Sequence, residues 1–240
     1  MDRAEKRQLE DLLEAAAVFR ALARGFSYPD AGHKATVRRE FSNIKKSIGL
    51  RGIERVRRAF RDADEVSMAA EYSRLFLGNG PVSLHETAYG DGRRIAGRTH
   101  ELADISGFYR AFGVEPSATN PDLPDHICTE LEYYSLLLVK QAYAELRNQL
   151  VNRKVTEKAA KTFLEQHLGR WIGALVNNFR EHSAASPYLE LANALQAVVA
   201  AECRRLRVHP VLFEGRLPHD VMQEESLVCP HDPSSAAQPA

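Results

Sequence analysis

An aspartate and a histidine lie side by side at Asp125 and His126, directly before an apolar helical pattern. Histidine titrates near neutral pH and a carboxylate can orient its ring, so the two residues could form an acid–base pair. Adjacent residues on a helix point about 100° apart, which disfavours a direct bond between the two side chains. In the alternative interpretation Asp125 caps the helix and His126 packs against the core. The sequence leaves both interpretations open.

A metal or nucleotide site is a second chemical possibility at this position. His126 and Glu130 are four residues apart, a spacing that suits a metal ion, but no further ligand follows at a matching spacing. The glycines of 78–81 and 90–94 lack the order of a phosphate-binding loop. We therefore predict no catalytic residue, no metal and no cofactor. A helical metal-dependent or nucleotide hydrolase using Asp125, His126 and Glu130 stays an alternative, as does a helical ligand-sensing domain.

Two elements must position these residues. Apolar residues recur at helical spacing after Pro124, at Ile127, Leu131, Tyr134 and Leu138, which predicts a long helix over 123–149 with Asp125 and His126 in its first turn. Five glycines and a proline interrupt the helical pattern between 78 and 97. Because this stretch also contains large side chains, we predict an ordered loop that lies over a groove.

Charge is unevenly distributed along the chain. Residues 71–132 contain ten acidic and five basic side chains, although the whole chain has 32 of each sign. Tyr72, Tyr89 and Tyr133 add hydroxyl groups to this acidic region, and several tyrosines together often line a wet groove; the alternative is that they are aromatic residues of the core. The combination favours a cationic, partly apolar guest, and a solvated acidic helix face is the alternative.

The rest of the chain is also helical in pattern. Helices are predicted over 4–24, 33–48, 52–62, from about 64, over 99–112, over 154–182 with a break at Gly169, and from 186 to 206. No segment alternates with a period of two. We predict an all-α fold: a single-domain bundle of about eight to ten helices over 1–208, followed by a loose, proline-rich tail over 209–240.

Composition excludes several classes of protein. A formal net charge of zero argues against a general nucleic-acid binder. Three cysteines without a C-x-x-C pair do not form a disulfide framework, which fits a reducing compartment. No apolar run approaches the roughly 18 residues that cross a bilayer. We predict a cytoplasmic protein without stable membrane insertion.

Three motifs together resemble a known family. They are Glu71-Tyr72-Ser73-Arg74-Leu75-Phe76, a glycine- and proline-containing loop that reaches Tyr89, and Pro124-Asp125-His126-Ile127 followed by Glu130-Leu131-Glu132-Tyr133. In order and separation, from about residue 10 to 205, the chain resembles the TorD/DmsD/NarJ chaperones that mature molybdenum oxidoreductases. The stretch 84–113 is similar to the branch that serves periplasmic type II enzymes, such as those for selenate or chlorate.

The resemblance implies a function and a set of partners. Such proteins are not enzymes; they bind the twin-arginine leader and the apo form of a molybdoenzyme catalytic subunit, assist insertion of the molybdopterin cofactor and gate export. Proteins of molybdenum-cofactor biosynthesis are further candidate partners, and the state of the chain, monomer or dimer, is left open.

The resemblance also implies which residues bind the leader. Many members have tryptophan and serine before the loop tyrosine, where this chain has His85 and Glu86. The predicted leader- or client-binding residues are Tyr72, Phe76, His85, Glu86, Tyr89, Asp122, Asp125, His126, Glu130 and Tyr133.

Overall fold

Helices form nearly all the regular structure of the protein, which is described here from a computed structural model for residues 3–44, 50–90, 95–115, 123–183 and 186–215. Within these residues there are nine α-helices, and the predicted all-α fold is confirmed. They are α1 (Arg3–Phe26), α2 (His33–Asn43), α3 (Leu50–Asp62), α4 (Glu65–Phe76), α5 (Ile95–Ala111), α6 (Ile127–Leu146), α7 (Leu150–Phe163), α8 (Gly169–His182) and α9 (Pro187–Leu206).

Helix α6 lies at the centre of the bundle, and its apolar face is buried against neighbouring helices. Leu131, Tyr134 and Leu138 have no exposed surface, as their spacing predicts. Helix α1 packs antiparallel along α6, where the Ser135 hydroxyl donates to the carbonyl of Ala16 at 2.8 Å. Helix α7 returns along α6, while α3 and α8 pack on α9. The buried side chains form one continuous core.

The start of α6 differs from the prediction. The helix begins at Ile127, and His126 is its N-cap in extended backbone, with a ring nitrogen accepting from the Cys128 N–H at 3.3 Å. The placement of Asp125 and His126 in the first helical turn was therefore wrong. The reason is tertiary: the backbone carbonyl of Asp125 accepts from the N–H of Glu86 in the glycine-rich loop, at 2.9 Å.

The predicted break at Gly169 is a change of helical pitch. One turn of π-helix, Leu164–Leu168, joins α7 to α8. A side chain at Gly169 would collide with the carbonyl oxygen of Leu164 and the ring of Pro210. Glycine is therefore required where the chain crosses over this turn.

Residues 208–215, which we call the strap, lie across the start of α8. The N–H of Phe213 donates to the carbonyl of Arg170 at 2.9 Å, and the guanidinium of Arg170 lies 4.2 Å from the centre of the Phe213 ring. The strap reaches the glycine-rich loop, where the N–H of Gly90 donates to the carbonyl of Gly215 at 3.3 Å. The rest of the predicted tail lies outside the described residues, and the domain boundary at 208 stays a prediction.

Across the described helices, none is both long enough and apolar enough to cross a membrane.

Candidate functional site

The glycine-rich loop is tied to the start of α6 by backbone hydrogen bonds. His85 and His126 form an isolated antiparallel bridge. The N–H of Ile127 donates to the carbonyl of Leu84 at 2.8 Å, beside the bond from Glu86 to Asp125 already described. These bonds place one turn of 3₁₀-helix, Glu86–Ala88, against the first residues of α6. The prediction of an ordered loop holds for 78–90; residues 91–94 lie outside the described part.

Asp125 is the polar anchor of this loop. Its carboxylate has no exposed surface, and it accepts from the hydroxyl of Thr87 at 2.6 Å and from the Thr87 N–H at 3.3 Å. A ring nitrogen of His85 lies 3.1 Å from its other oxygen. Burial raises the pKa of Asp125, but the bonds from His85 and Thr87 outweigh it and hold the pKa below its ordinary value of 3.8. Asp125 is therefore an ionised carboxylate inside the protein.

The two histidines stand between Asp125 and the solvent. Their rings meet edge to face with centres 5.0 Å apart. About a third of the His85 side chain, 34%, is exposed. His126 is half-buried, with its ring turned to the Cys128 N–H. The structure thus joins His85, not His126, to Asp125.

A second pair of buried carboxylates lies deeper. Glu86 and Glu130 have no exposed surface, and the indole N–H of Trp171 donates to Glu130 at 3.2 Å. Burial raises the pKa of Glu130 well above 4.5, and repulsion from Glu86 raises it further. Burial and the neighbouring carboxylate of Glu86 thus favour the protonated form of Glu130.

His167 lies beside this pair. Its two ring nitrogens lie 3.3 Å from a carboxylate oxygen of Glu86 and 3.1 Å from one of Asp104. Burial lowers the pKa of His167, but the contacts with Glu86 and Asp104 outweigh it and raise the pKa above 6.5. The residue pattern gave no sign of His167 or Trp171, because both reach the site from a helix distant in sequence.

Tyr89 and Tyr133 support the site from within the core. Tyr89 stacks on Trp171 with ring centres 5.4 Å apart, and its hydroxyl donates to the carbonyl of Ser83 at 2.7 Å. The hydroxyl of Tyr133 donates to the carbonyl of Phe108 at 3.1 Å. Both rings are buried. Their hydroxyls therefore fix neighbouring backbone and do not line an open surface.

An open cleft of about 620 Å³ lies between the loop, the end of α4 and the turn from α1 to α2. Four of the predicted residues line it: Tyr72, Phe76, His85 and His126. The other described ones lie behind its wall or in the core: Glu86, Tyr89, Asp125, Glu130 and Tyr133. Asp122 lies outside the described residues.

The turn from α1 to α2 contributes residues that the sequence did not single out. Tyr28 is half-exposed and meets Tyr72 edge to face at 5.4 Å. Arg24 and Asp30 are the charged residues on the described cleft wall. The wall is thus less acidic than the count over 71–132 indicates, because several of those carboxylates lie inside the protein. A tyrosine followed by an aspartate just after a helix end, Tyr28-Pro29-Asp30, was the available signal.

In the part of the chain that the structure describes, no three histidine, cysteine, aspartate or glutamate side chains are placed to hold a metal ion. Asp125, His126 and Glu130 instead have separate hydrogen-bond partners, namely Thr87 with His85, the Cys128 N–H, and Trp171.

Comparison with known proteins decides the family. The model of the nitrate reductase delta subunit family matches residues 34–177, more than half of the chain. The chain belongs to this family. The predicted family of maturation chaperones is therefore confirmed, and the match spans α4, the glycine-rich loop and all of α6.

Curated relatives of this family member are assembly chaperones, not enzymes. The selenate reductase assembly chaperone protein of Thauera selenatis is 32% identical over 80% of this chain and 89% of its own length. The chlorate reductase assembly chaperone protein of Ideonella dechloratans is 29% identical over 81% and 91%. The perchlorate reductase assembly chaperone protein of Dechloromonas aromatica is 31% identical over 48% of each chain. The prediction that the chain is a maturation chaperone similar to the branch that serves type II enzymes, such as those for selenate or chlorate, is confirmed.

Proposed function

We propose that this chain is the assembly chaperone of a molybdoenzyme of the selenate or chlorate reductase type. In this proposal it acts in the cytoplasm, binds the apo catalytic subunit together with its twin-arginine leader, and holds both until the molybdopterin cofactor is inserted and export can proceed. The support comes from the family and from relatives that are assembly chaperones for selenate and chlorate reductases and match about four-fifths of this chain.

The proposal of leader binding rests on the cleft, which is lined by Tyr72, Phe76, His85 and His126. A twin-arginine leader presents two guanidinium groups followed by an apolar stretch. Guanidinium groups pair with carboxylates and stack on aromatic rings. Asp30 and the half-exposed ring of Tyr28 offer both at the cleft mouth. The apolar stretch would then lie along Phe76 and Leu77, the latter 48% exposed.

The buried carboxylates support this binding indirectly. Asp125 is ionised directly behind His85, where a low dielectric strengthens its attraction for a cation in the cleft. Glu86 ties the loop to the π-helical turn through His167, and Glu130 ties α6 to α8 through Trp171. In this proposal His85 and His126 touch the leader, whereas Glu86, Asp125 and Glu130 are positioning residues.

Calorimetry with the twin-arginine leader peptide of a selenate or chlorate reductase catalytic subunit tests the proposal. Asp30→Asn should weaken binding roughly three- to tenfold, the range expected for loss of one partly solvated ion pair. Asp62→Asn is the matched control, because Asp62 is an exposed carboxylate paired with Arg61 and away from the cleft. A leader with both arginines replaced by alanine should bind weakly to wild type and equally weakly to the Asp30 variant.

Two results would contradict leader binding in the cleft. One is equal affinity of the native and the arginine-free leader. The other is a loss of affinity in Asp62→Asn that matches the loss in Asp30→Asn.

A further inference from the structure

The hairpin of α6 and α7 exposes an unusual concentration of large apolar side chains. Six of the thirteen exposed large hydrophobic residues of the described chain lie within 139–155. They are Val139 (43% exposed), Tyr143 (53%), Leu146 (55%), Leu150 (63%), Val151 (75%) and Val155 (55%). Residues 146–152 are all exposed, so the end of the hairpin protrudes from the bundle. We call these six residues and the turn between them the hairpin tip.

The turn itself is a tight, ordered reversal. Asn148 adopts the left-handed conformation with φ of 53°, and the N–H of Gln149 donates to the carbonyl of Ala144 at 2.8 Å. Each of the six apolar residues lies within nine positions of Asn148, which is about 14 Å along a helix. The apolar side chains are thus gathered at one end of the molecule on rigid elements.

Uncompensated positive charge surrounds the tip. Lys140, Arg147, Lys154 and Lys158 are exposed, and no ion pair joins them to a carboxylate of the described residues. The two glutamates within residues 139–158 are already engaged: Glu145 with Arg153 at 3.0 Å and Glu157 with Lys161 at 2.8 Å. The guanidinium of Arg147 lies over the Tyr143 ring at 5.5 Å. The tip is therefore cationic on a chain whose net charge is zero.

We propose that the hairpin tip docks reversibly on an anionic lipid surface. Leucine, valine and tyrosine at a protruding end, ringed by lysine and arginine, are the composition of segments that lie in the membrane interface. Lysines and arginines attract anionic headgroups, while the apolar side chains enter the boundary between headgroups and acyl chains. A protein partner would need a concave acidic surface whose shape matches the hairpin tip. A lipid bilayer needs no such surface, because it can deform around a protruding element.

The position of the tip leaves the cleft accessible during docking. The cleft lies at the N-terminal end of α6 and the tip at its C-terminal end, twenty residues away, or about 30 Å. A chaperone held by the tip would therefore present the cleft away from the lipid. The docking proposal rests on the tip alone and does not depend on what the cleft binds.

Vesicle sedimentation with the full chain tests this proposal. Vesicles of phosphatidylcholine with about 30% phosphatidylglycerol should sediment the wild-type protein at least about fivefold more than pure phosphatidylcholine vesicles, and high salt should abolish the difference. The triple variant Leu146→Gln, Leu150→Gln and Val151→Thr and, separately, Lys154→Glu with Lys158→Glu should each reduce the sedimented fraction at least about fivefold.

The matched control is Val66→Gln with Val211→Gln, which changes apolar residues that are 77% and 76% exposed but lie outside the hairpin and the cleft. It should sediment like wild type. All changed residues are exposed, and circular dichroism melting should show that each variant is folded. Absence of sedimentation, equal binding to neutral vesicles, or an equal loss in the control variant would overturn the proposal. So would a protein dimer, dissociated by the triple variant, that accounts for burial of the tip.

Discussion

The raised pKa of Glu130 has a measurable effect on how the stability of the protein depends on pH. Its folded-state pKa is raised well above 4.5, mainly by burial and then by Glu86. A carboxyl whose pKa is raised by folding contributes less to stability as the pH rises from its unfolded pKa towards its folded one, since the folded state keeps a proton that the unfolded state releases. The glutamate therefore weakens the fold as the pH passes upward from about 4.5.

Glu130→Gln should consequently stabilise the protein at neutral and higher pH. The amide oxygen can still accept from Trp171, and the amide N–H can donate to Glu86. We expect a gain of roughly 1 kcal/mol near pH 8, or about 2–4 °C in melting temperature, and a difference close to zero near pH 4. Melting curves across this pH range measure it. A variant less stable than wild type at every pH would contradict the raised pKa of Glu130.

Asp125 has the opposite dependence on pH. Its pKa is held below 3.8 by His85 and Thr87 against the effect of burial. Its contribution to stability is therefore present above the unfolded pKa and is lost as the pH falls through the folded pKa. Asp125→Asn should cost roughly 2–3 kcal/mol in urea unfolding at pH 7, as expected for losing charge-assisted bonds, and the loss should shrink in acid.

The comparison residue for Asp125 is Asp30, which is exposed on the cleft wall. Asp30→Asn should change the free energy of unfolding by less than about 0.5 kcal/mol. Equal effects of the two substitutions would show that the carboxylate of Asp125 does not anchor the loop.

At the scale of elements, the glycine-rich loop depends on one close approach. A side chain at Gly80 would collide with the carbonyl oxygen of Leu75 at the end of α4. Gly80→Ala should therefore shift the loop and destabilise the protein by roughly 1–3 kcal/mol. Gly107→Ala is the matched control, because Gly107 lies inside α5 with open space around it. This control should be neutral or stabilising by up to about 1 kcal/mol. Denaturant unfolding of both variants measures these changes in the free energy of unfolding, and equal losses would contradict the close approach at Gly80.

The positions of most helices could be predicted from the spacing of apolar residues in the sequence. The apolar face of α6 and the ends of α1 and α9 were predictable because they depend on local spacing, capping and turn residues. The start of α6 was misplaced by four residues, since the loop captures the backbone of Asp125. Ile95 opens α5 ahead of the predicted start at 99. These ends are set by contacts between elements, which no local pattern contains.

The same limit applies to the site. Tyr72 and Phe76 were recognisable from their motif and do line the cleft. His167, Trp171 and Thr87 were not recognisable, because each acts on a carboxylate 38 to 81 residues away in sequence. The charge count was correct, but it could not show that Glu86, Asp125 and Glu130 point into the protein.

At the scale of the whole molecule, α6 connects two ends with different surfaces. Its start carries the loop, the histidines and the cleft, and its end carries the cationic apolar tip. The bundle between them is continuous core. We therefore propose that the chaperone binds its client at one end and an anionic lipid surface at the other, with the packed core between the two ends.

Hydrogen–deuterium exchange on the full chain, with and without the leader peptide, tests the central claim most directly. If the cleft binds the leader, protection should increase over 24–30, 72–85 and around His126, while the hairpin tip at 146–152 should be unchanged. Protection confined to the tip, or absent from every segment that lines the cleft while the peptide is bound, would contradict leader binding between the glycine-rich loop and α6.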